Sequence, residues 1–206
     1  MTLQDIVQTI VDKAQGRDRF IVAIAGPPGS GKSTLADALR EALTRQDETA
    51  EVLPMDGFHM DNAVLEARGL LPRKGAPETF DVRGLIDILQ AVRAAKEEVL
   101  VPVFDRSREI AIASARPISP GTHVVLAEGN YLLVDQEPWS RASPLFDLTI
   151  LLAPPEPVLR ERLRARWVHY GLDEAGITWK LDGNDLPNGR FVLEHSRMPD
   201  IRIETF

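Results

Sequence analysis

Cysteine is absent from the 206 residues, which excludes disulfides, thiolate metal sites and cysteine catalysis. The four histidines (His59, His123, His169 and His195) are scattered without ligand spacing, so no histidine-based metal site is expected. Positive charge is in the minority, with 24 Lys and Arg against 31 Asp and Glu and a net charge of −7. Broad binding to nucleic acid or to an anionic membrane is therefore not expected. Long apolar runs are also missing. Phe20 to Ala25 is typical of what is there, far short of a membrane span. The N-terminal stretch Met1 to Gln15 carries acids early and no extended apolar core, unlike a secretory signal. The expected location is the cytoplasm and the expected partner a small-molecule substrate. A homodimer is compatible with the sequence.

What is there is ordinary globular material: hydrophobic residues are 44% and charged residues 27%, enough for a packed core. Leu3, Ile6, Val7, Ile10, Val11 and Ala14 recur at helical spacing up to Gly16. Phe20 to Ala25 reads as a buried strand, followed by a glycine-rich loop and a helix from about Lys32 to Arg45. Glu51 to Met55 reads as a second strand. Residues 57–80 read as loops with one short helix after Asp61, and Asp81 as the N-cap of a helix buried through Val82, Leu85, Ile86, Leu89 and Val92. Val99 to Phe104 and Glu109 to Ala113 suggest a small hairpin. Val124 to Glu128, Leu148 to Leu152 and Ile201 to Glu204 read as three more core strands, and Glu156 to Tyr170 as an Arg-rich helix. Strands alternating with helices imply an α/β fold: a parallel sheet of the P-loop type covered on both faces, in one domain over residues 1–206.

The segment Gly26-Pro27-Pro28-Gly29-Ser30-Gly31-Lys32-Ser33 fits G-x-x-x-x-G-K-[ST] at every position. Small residues let successive N–H groups turn inward around phosphate oxygens, and the following helix adds its positive end. Lys32 then reaches the β- and γ-phosphates and the Ser33 hydroxyl ligates Mg²⁺, with Thr34 next in the first helical turn. The implied cofactors are ATP and Mg²⁺. A switch GTPase needs Asn-Lys-x-Asp to read guanine, yet Asn62, Asn130, Asn184 and Asn188 are followed by Ala, Tyr, Asp and Gly. That removes the GTPase reading. A regulatory ATP-binding module without transfer is the alternative from another class.

Four further segments follow: Met55-Asp56-Gly57-Phe58-His59, Arg73-Lys-Gly-Ala-Pro-Glu78-Thr-Phe-Asp81, Pro102-Val-Phe104-Asp105 and Val124-Val-Leu-Ala-Glu128-Gly-Asn-Tyr-Leu-Leu133. In this order and spacing, from about Phe20 to Glu204, the chain resembles the phosphoribulokinase, uridine kinase and bacterial pantothenate kinase family. Within it the chain is similar to a bacterial branch named nucleoside or fructose-transport-associated kinases. The resemblance implies transfer of the γ-phosphoryl of MgATP to a hydroxyl of a small polar metabolite. Asp56 matches the family's base for the acceptor hydroxyl, and Glu128 ends a hydrophobic strand as Walker B acids do, to orient Mg²⁺ or its water.

Arg160, Arg162, Arg164 and Arg166 sit within seven residues of one helix and resemble the family's lid, about residues 156–171. Arg162 and Arg166 are the first choices for the transferring phosphoryl group, and Arg164 the next. On the acceptor side, Glu78 falls where uridine kinases place an acid that grips ribose hydroxyls; His59 and Arg73 are further acceptor-side groups. Phe104 stands where nucleoside and pantothenate kinases carry Tyr, and no His occurs between Asp105 and Arg116. The expected acceptor is therefore a sugar or other polyol such as fructose, with a nucleoside or pantothenate as the alternative.

Overall fold

The computed structural model describes residues 1–204. Helix α1 (Leu3–Ala14) starts at a reciprocal capping box between Thr2 and Asp5 and buries Ile6, Val7, Ile10 and Ala14. Strand β1 (Phe20–Ala25) is buried at all six positions, because it lies at the centre of a sheet covered on both faces. The sheet runs β2 (Ala50–Pro54), β5 (Val124–Gly129), β1, β6 (Leu148–Leu152), β7 (Ile201–Ile203), and every pairing is parallel. The α/β expectation is borne out.

The sheet divides the core in two. One face packs on α1 and α2 (Lys32–Thr44) through Ile10, Phe20, Ile24, Leu35 and Leu39. The other packs on α4 (Val82–Ala94), capped by Asp81 as the sequence suggests, through Met55, Leu85, Leu89, Val101 and Tyr131. The short helix α3 (Asn62–Ala67), capped by Asp61, precedes α4, and an antiparallel hairpin of β3 (Val99–Asp105) and β4 (Ile110–Ile118) follows it.

Three features differ from the expectation. Strand β4 runs to Ile118 rather than Ala113, so the hairpin is a long ribbon that reaches across the sheet edge. The second strand ends at Pro54, and Met55–Phe58 turns as a 3₁₀ segment. After α5 (Glu156–His169), two unanticipated helices, α6 (Glu174–Lys180) and α7 (Leu186–His195), are joined by a π-turn at Leu181–Asp185. Helix α5 has almost no amphipathic stripe. Only Leu159 and Leu163, four residues apart, are buried, and they meet Ile177, Leu181 and Leu186 in a small separate cluster. Among the described residues no helix is long and apolar enough to cross a membrane.

Candidate active site

The glycine-rich loop leaves β1 and opens α2, with backbone and lid pressed close around it. A Cβ on Gly26 would overlap the Leu152 carbonyl of β6. Gly29 has φ +78°, and a Cβ there would stand 3.0 Å from Leu163, so α5 lies directly on the loop. Thr2, Asp61, Asp81 and Asp173 cap α1, α3, α4 and α6 with side-chain acceptors, whereas α2 starts at Gly31 with no side-chain cap. Its first amides are thus left to a ligand. The Ser30 hydroxyl is buried with no hydrogen-bond partner, and Lys32 Nζ folds back to donate to the Pro27 carbonyl at 3.0 Å. An orphaned hydroxyl, open helical amides and a lysine resting on its own loop fit a polyphosphate.

Parallel strands deliver the ionisable groups to one edge. Glu128 is at the end of β5, and Asp56 sits in the turn after β2, the strand paired with β5. Burial pushes the Glu128 carboxyl up to about 7, and the Asp56 charge adds to this against Lys32 and a hydrogen bond with Ser33. Burial pulls the Lys32 ammonium down to about 8, opposed by Glu128 and Asp56. A buried acid held near neutrality beside the Ser33 hydroxyl suits Mg²⁺, whose arrival would favour its charged form. Mg²⁺ takes only one or two protein ligands when phosphates supply the rest. Among the described residues there is no larger cluster of His, Asp and Glu of metal-holding geometry.

Asp56 is reached from above by the hairpin. A Cβ on Gly57 would overlap the Pro102 carbonyl, so glycine here lets β3 lie across the turn. That contact brings Phe104 and Arg106 over the carboxylate, and the Arg106 guanidinium donates to Asp56 Oδ2. Burial opposes the Asp56 charge, but Arg106, then His59, Lys32 and Arg166, outweigh it and hold the carboxyl below its ordinary value. His59 places Nδ1 2.7 Å from the Asp56 carbonyl oxygen, with its ring 4.1 Å from Phe80 and 4.5 Å from Phe104. Burial lowers its pKa, so the ring is neutral at pH 7.

Asp56, Ser33 and Glu128 line one pocket of about 140 Å³, and Phe104 and Arg106 are shared with an adjoining cleft of about 130 Å³ walled by His59, Lys74, Arg166 and Trp167, with Asn130, Asn184 and Asp185 among its polar lining. Arg166 faces into it, and Arg162 donates to the Ser30 carbonyl at 3.2 Å. Arg164 does not come to the site. It makes a two-pronged pair with Glu174 at 2.8 and 2.6 Å on the outer surface. Alternate positions on a helix point apart, which is why Arg162 and Arg164 have different fates. Nor does Glu78 line this cleft. It lies 3.7 Å from Arg73 and borders a neighbouring groove with Met60, Phe80 and Trp139. Arg73 donates to the Gly183 carbonyl, tying the 71–75 loop to the π-turn.

Sequence reasoning missed Arg106, Lys74 and the Asn184–Asp185–Asn188 group. Asn184 donates to the Lys74 carbonyl at 3.0 Å and Asn188 to Asn184 at 3.2 Å, while Trp167 donates to Asp185 at 2.7 Å. Arg106 was the findable one, since it follows Pro102-Val-Phe-Asp105 at the hairpin tip.

Residues 22–174 match the family model described as an AAA domain. An Escherichia coli K12 protein, "Uncharacterized protein YggC", is 37% identical over 189 residues, spanning 90% of this chain and 78% of its own. "Putative uridine kinase C227.14" of Schizosaccharomyces pombe is 30% identical over 213 residues, 97% of this chain and 89% of its own. The crystal structure of a "putative fructose transport system kinase" from Silicibacter sp. TM1040 superimposes with TM-score 0.93 at 44% identity, covering 98% of each chain. The chain belongs to the P-loop kinases. Its family is that of phosphoribulokinase, uridine kinase and pantothenate kinase, as the motif order implies, and membership brings ATP binding and a small-molecule acceptor.

Proposed function

We propose that this kinase transfers the γ-phosphoryl of MgATP to a hydroxyl of a sugar or related polyol. The observation that carries the reading is the placement of the Asp56 carboxylate, held in its charged form near Lys32, in one pocket with Ser33 and Glu128 that adjoins the Arg166 cleft. The acceptor oxygen forms the new P–O bond as the bond to the β-phosphate's bridging oxygen breaks. The hydroxyl proton passes to Asp56, and ADP and a phosphomonoester result. Lys32 leaves the Pro27 carbonyl to bind phosphate oxygens, and Arg166 faces the same cleft to meet charge on the transferring group. Ser33 and Glu128 would hold Mg²⁺ on the protein side, where it would supply neutralisation of phosphate charge. Arg162, bonded to the loop at Ser30, fixes α5 over the nucleotide.

The polyol reading is supported by Phe104 and His59. Their rings, 4.5 Å apart and tilted by 33°, give an apolar wall for a sugar's C–H face, with no tyrosine at position 104 and Tyr170 lining the cleft from the end of α5 instead. With Glu78 outside the cleft, Asn130 and Asp185 are the groups placed to meet acceptor hydroxyls. The printed name of the Silicibacter relative favours a sugar, and that of the Schizosaccharomyces pombe relative favours a nucleoside as the second reading. The test is acceptor-dependent ADP release across sugars, sugar derivatives, uridine, cytidine and pantothenate. A sugar-type acceptor outrunning the nucleosides by at least about tenfold in kcat/KM is expected; uridine as the best acceptor would overturn the reading.

A further inference from the structure

The cleft above Asp56 carries more positive charge than its own acids neutralise. Lys74, Arg106, Arg166 and Lys180 line it, against Glu109 and Asp185. Asp185 already accepts from Trp167 at 2.7 Å, and burial raises its pKa. Arg166 makes no ion pair among the described residues, although Arg106 is close enough for the two cations to repel. Two guanidiniums thus gather in one partly buried cleft of an acidic chain, with Arg106 held by Asp56 at its edge.

Arg106 has a resting partner, and it is the wrong one for catalysis. Its guanidinium holds Asp56, the carboxylate that must receive the acceptor's proton. A base locked by a cation has its oxygen occupied and its basicity lowered. The hairpin tip that carries Arg106 spans 106–109 and is also tied to the cleft through Lys74, which donates to the Glu109 carbonyl at 2.7 Å and lies 3.4 Å from its carboxylate. Phe104 lies between the two cations, 5.1 Å from Lys74 Nζ and 6.0 Å from the Arg106 guanidinium carbon. A second oxyanion entering this wall would find both.

We infer that the acceptor is itself an anion, a polyol bearing a carboxylate or a phosphate, and that its charge draws Arg106 off Asp56, binding the acceptor and freeing the base in one move. The Asp56 carboxylate stands in, at rest, for the acceptor's oxyanion. Neutral sugars fill the cleft without unlocking the base. This rests on the polyol reading above and narrows it. It also gives the resting enzyme protection against hydrolysis, because a carboxylate paired with a guanidinium is a weaker base toward water.

The experiment compares kcat/KM for fructose 6-phosphate, fructose 1-phosphate and gluconate with that for fructose and glycerol, in the wild type and in Arg106→Gln. The wild type should prefer at least one anionic acceptor by on the order of 10²-fold, the scale of one partly buried charge pair. Phosphate and carboxylate arms separate the two sources of charge. In Arg106→Gln that preference should fall to within about threefold, while ADP release without acceptor rises. Arg108→Gln, at the same tip but paired with Asp105 and exposed, should keep the wild-type preference. Fructose equal to or better than its anionic forms would overturn the inference and leave the polyol reading standing. Pantothenate, anionic and not a sugar, as best acceptor would keep the demand for an anion and overturn the polyol reading on which the inference rests. An unchanged preference in folded Arg106→Gln would show that the charge is read elsewhere and that the lock is not Arg106.

Discussion

The phosphate end and the acceptor end of this active site are built in opposite ways. The phosphate end is one contiguous segment, Gly26 to Ser33, between a fully buried strand and a helix packed on the core. Its functional atoms are mostly backbone, and its conformation is fixed by glycines against Leu152 and Leu163. The proposed acceptor end is assembled from five separated stretches, around residues 59, 74–80, 104–109, 130 and 166–188. Its functional atoms are side chains on loops, a hairpin tip and a lid with a five-residue core of its own. A contiguous backbone site allows one chemistry, holding phosphate, while a site borrowed from five loops can change its acceptor without disturbing the sheet.

Lys32→Ala strikes the phosphate end and should lower kcat by about 10³-fold or more, since the lost ammonium stabilises charge only as transfer proceeds. Circular dichroism and thermal melting should show the fold retained. Near wild-type turnover in the folded variant would break the comparison at its firmer side. Asp56→Asn stands at the junction of the two ends. It should reduce kcat by on the order of 10²-fold or more with the KM for ATP little changed, as removal of a positioned base does. Loss of ATP affinity with normal turnover per bound ATP would move Asp56 to the phosphate end.

How much of this was readable follows the same division. The loop, the strand-end positions of Asp56 and Glu128 and the parallel core strands followed from local patterns, because buried parallel strands read as apolar runs and the phosphate loop as fixed spacing. The acceptor side was not local. Helices α6 and α7 escaped notice because Glu174 to His195 contains Gly183, Pro187 and Gly189 and has no clean apolar stripe. Arg106 was unreadable as an Asp56 partner without the hairpin laid over Gly57. Glu78 was assigned by position in a motif, yet the turn at Pro77–Thr79 points it to Arg73.

The lid sharpens the contrast at smaller scale. Arg166→Gln should cost about 10²-fold in kcat, whereas Arg164→Gln should stay within about twofold, since its pair with Glu174 is solvent-facing. Equal losses would mean that the lid rotates on closing and that α5 presents another face. The smallest expected effect is on pH. The folded pKa of Glu128 lies above its unfolded value of 4.5, so the stability it lends is complete below 4.5 and lost as pH rises through about 7. Glu128→Gln keeps the neutral form, so it should melt like the wild type at pH 4 and a few degrees higher than ligand-free wild type at pH 8. Mg²⁺ with nucleotide should stabilise the wild type at pH 8 more than the variant. A parallel pH dependence in both proteins would remove Glu128 from the cation site.

The central claim, that Asp56 and the phosphate loop act together to phosphorylate a hydroxyl, is tested most directly by following the label from γ-³²P ATP in a single turnover with the anionic and neutral polyols. The account predicts label in a stable phosphomonoester with the wild type and at least about 10²-fold slower appearance with Asp56→Asn. Label appearing only as inorganic phosphate, at rates indifferent to every acceptor and to Asp56→Asn, would contradict it.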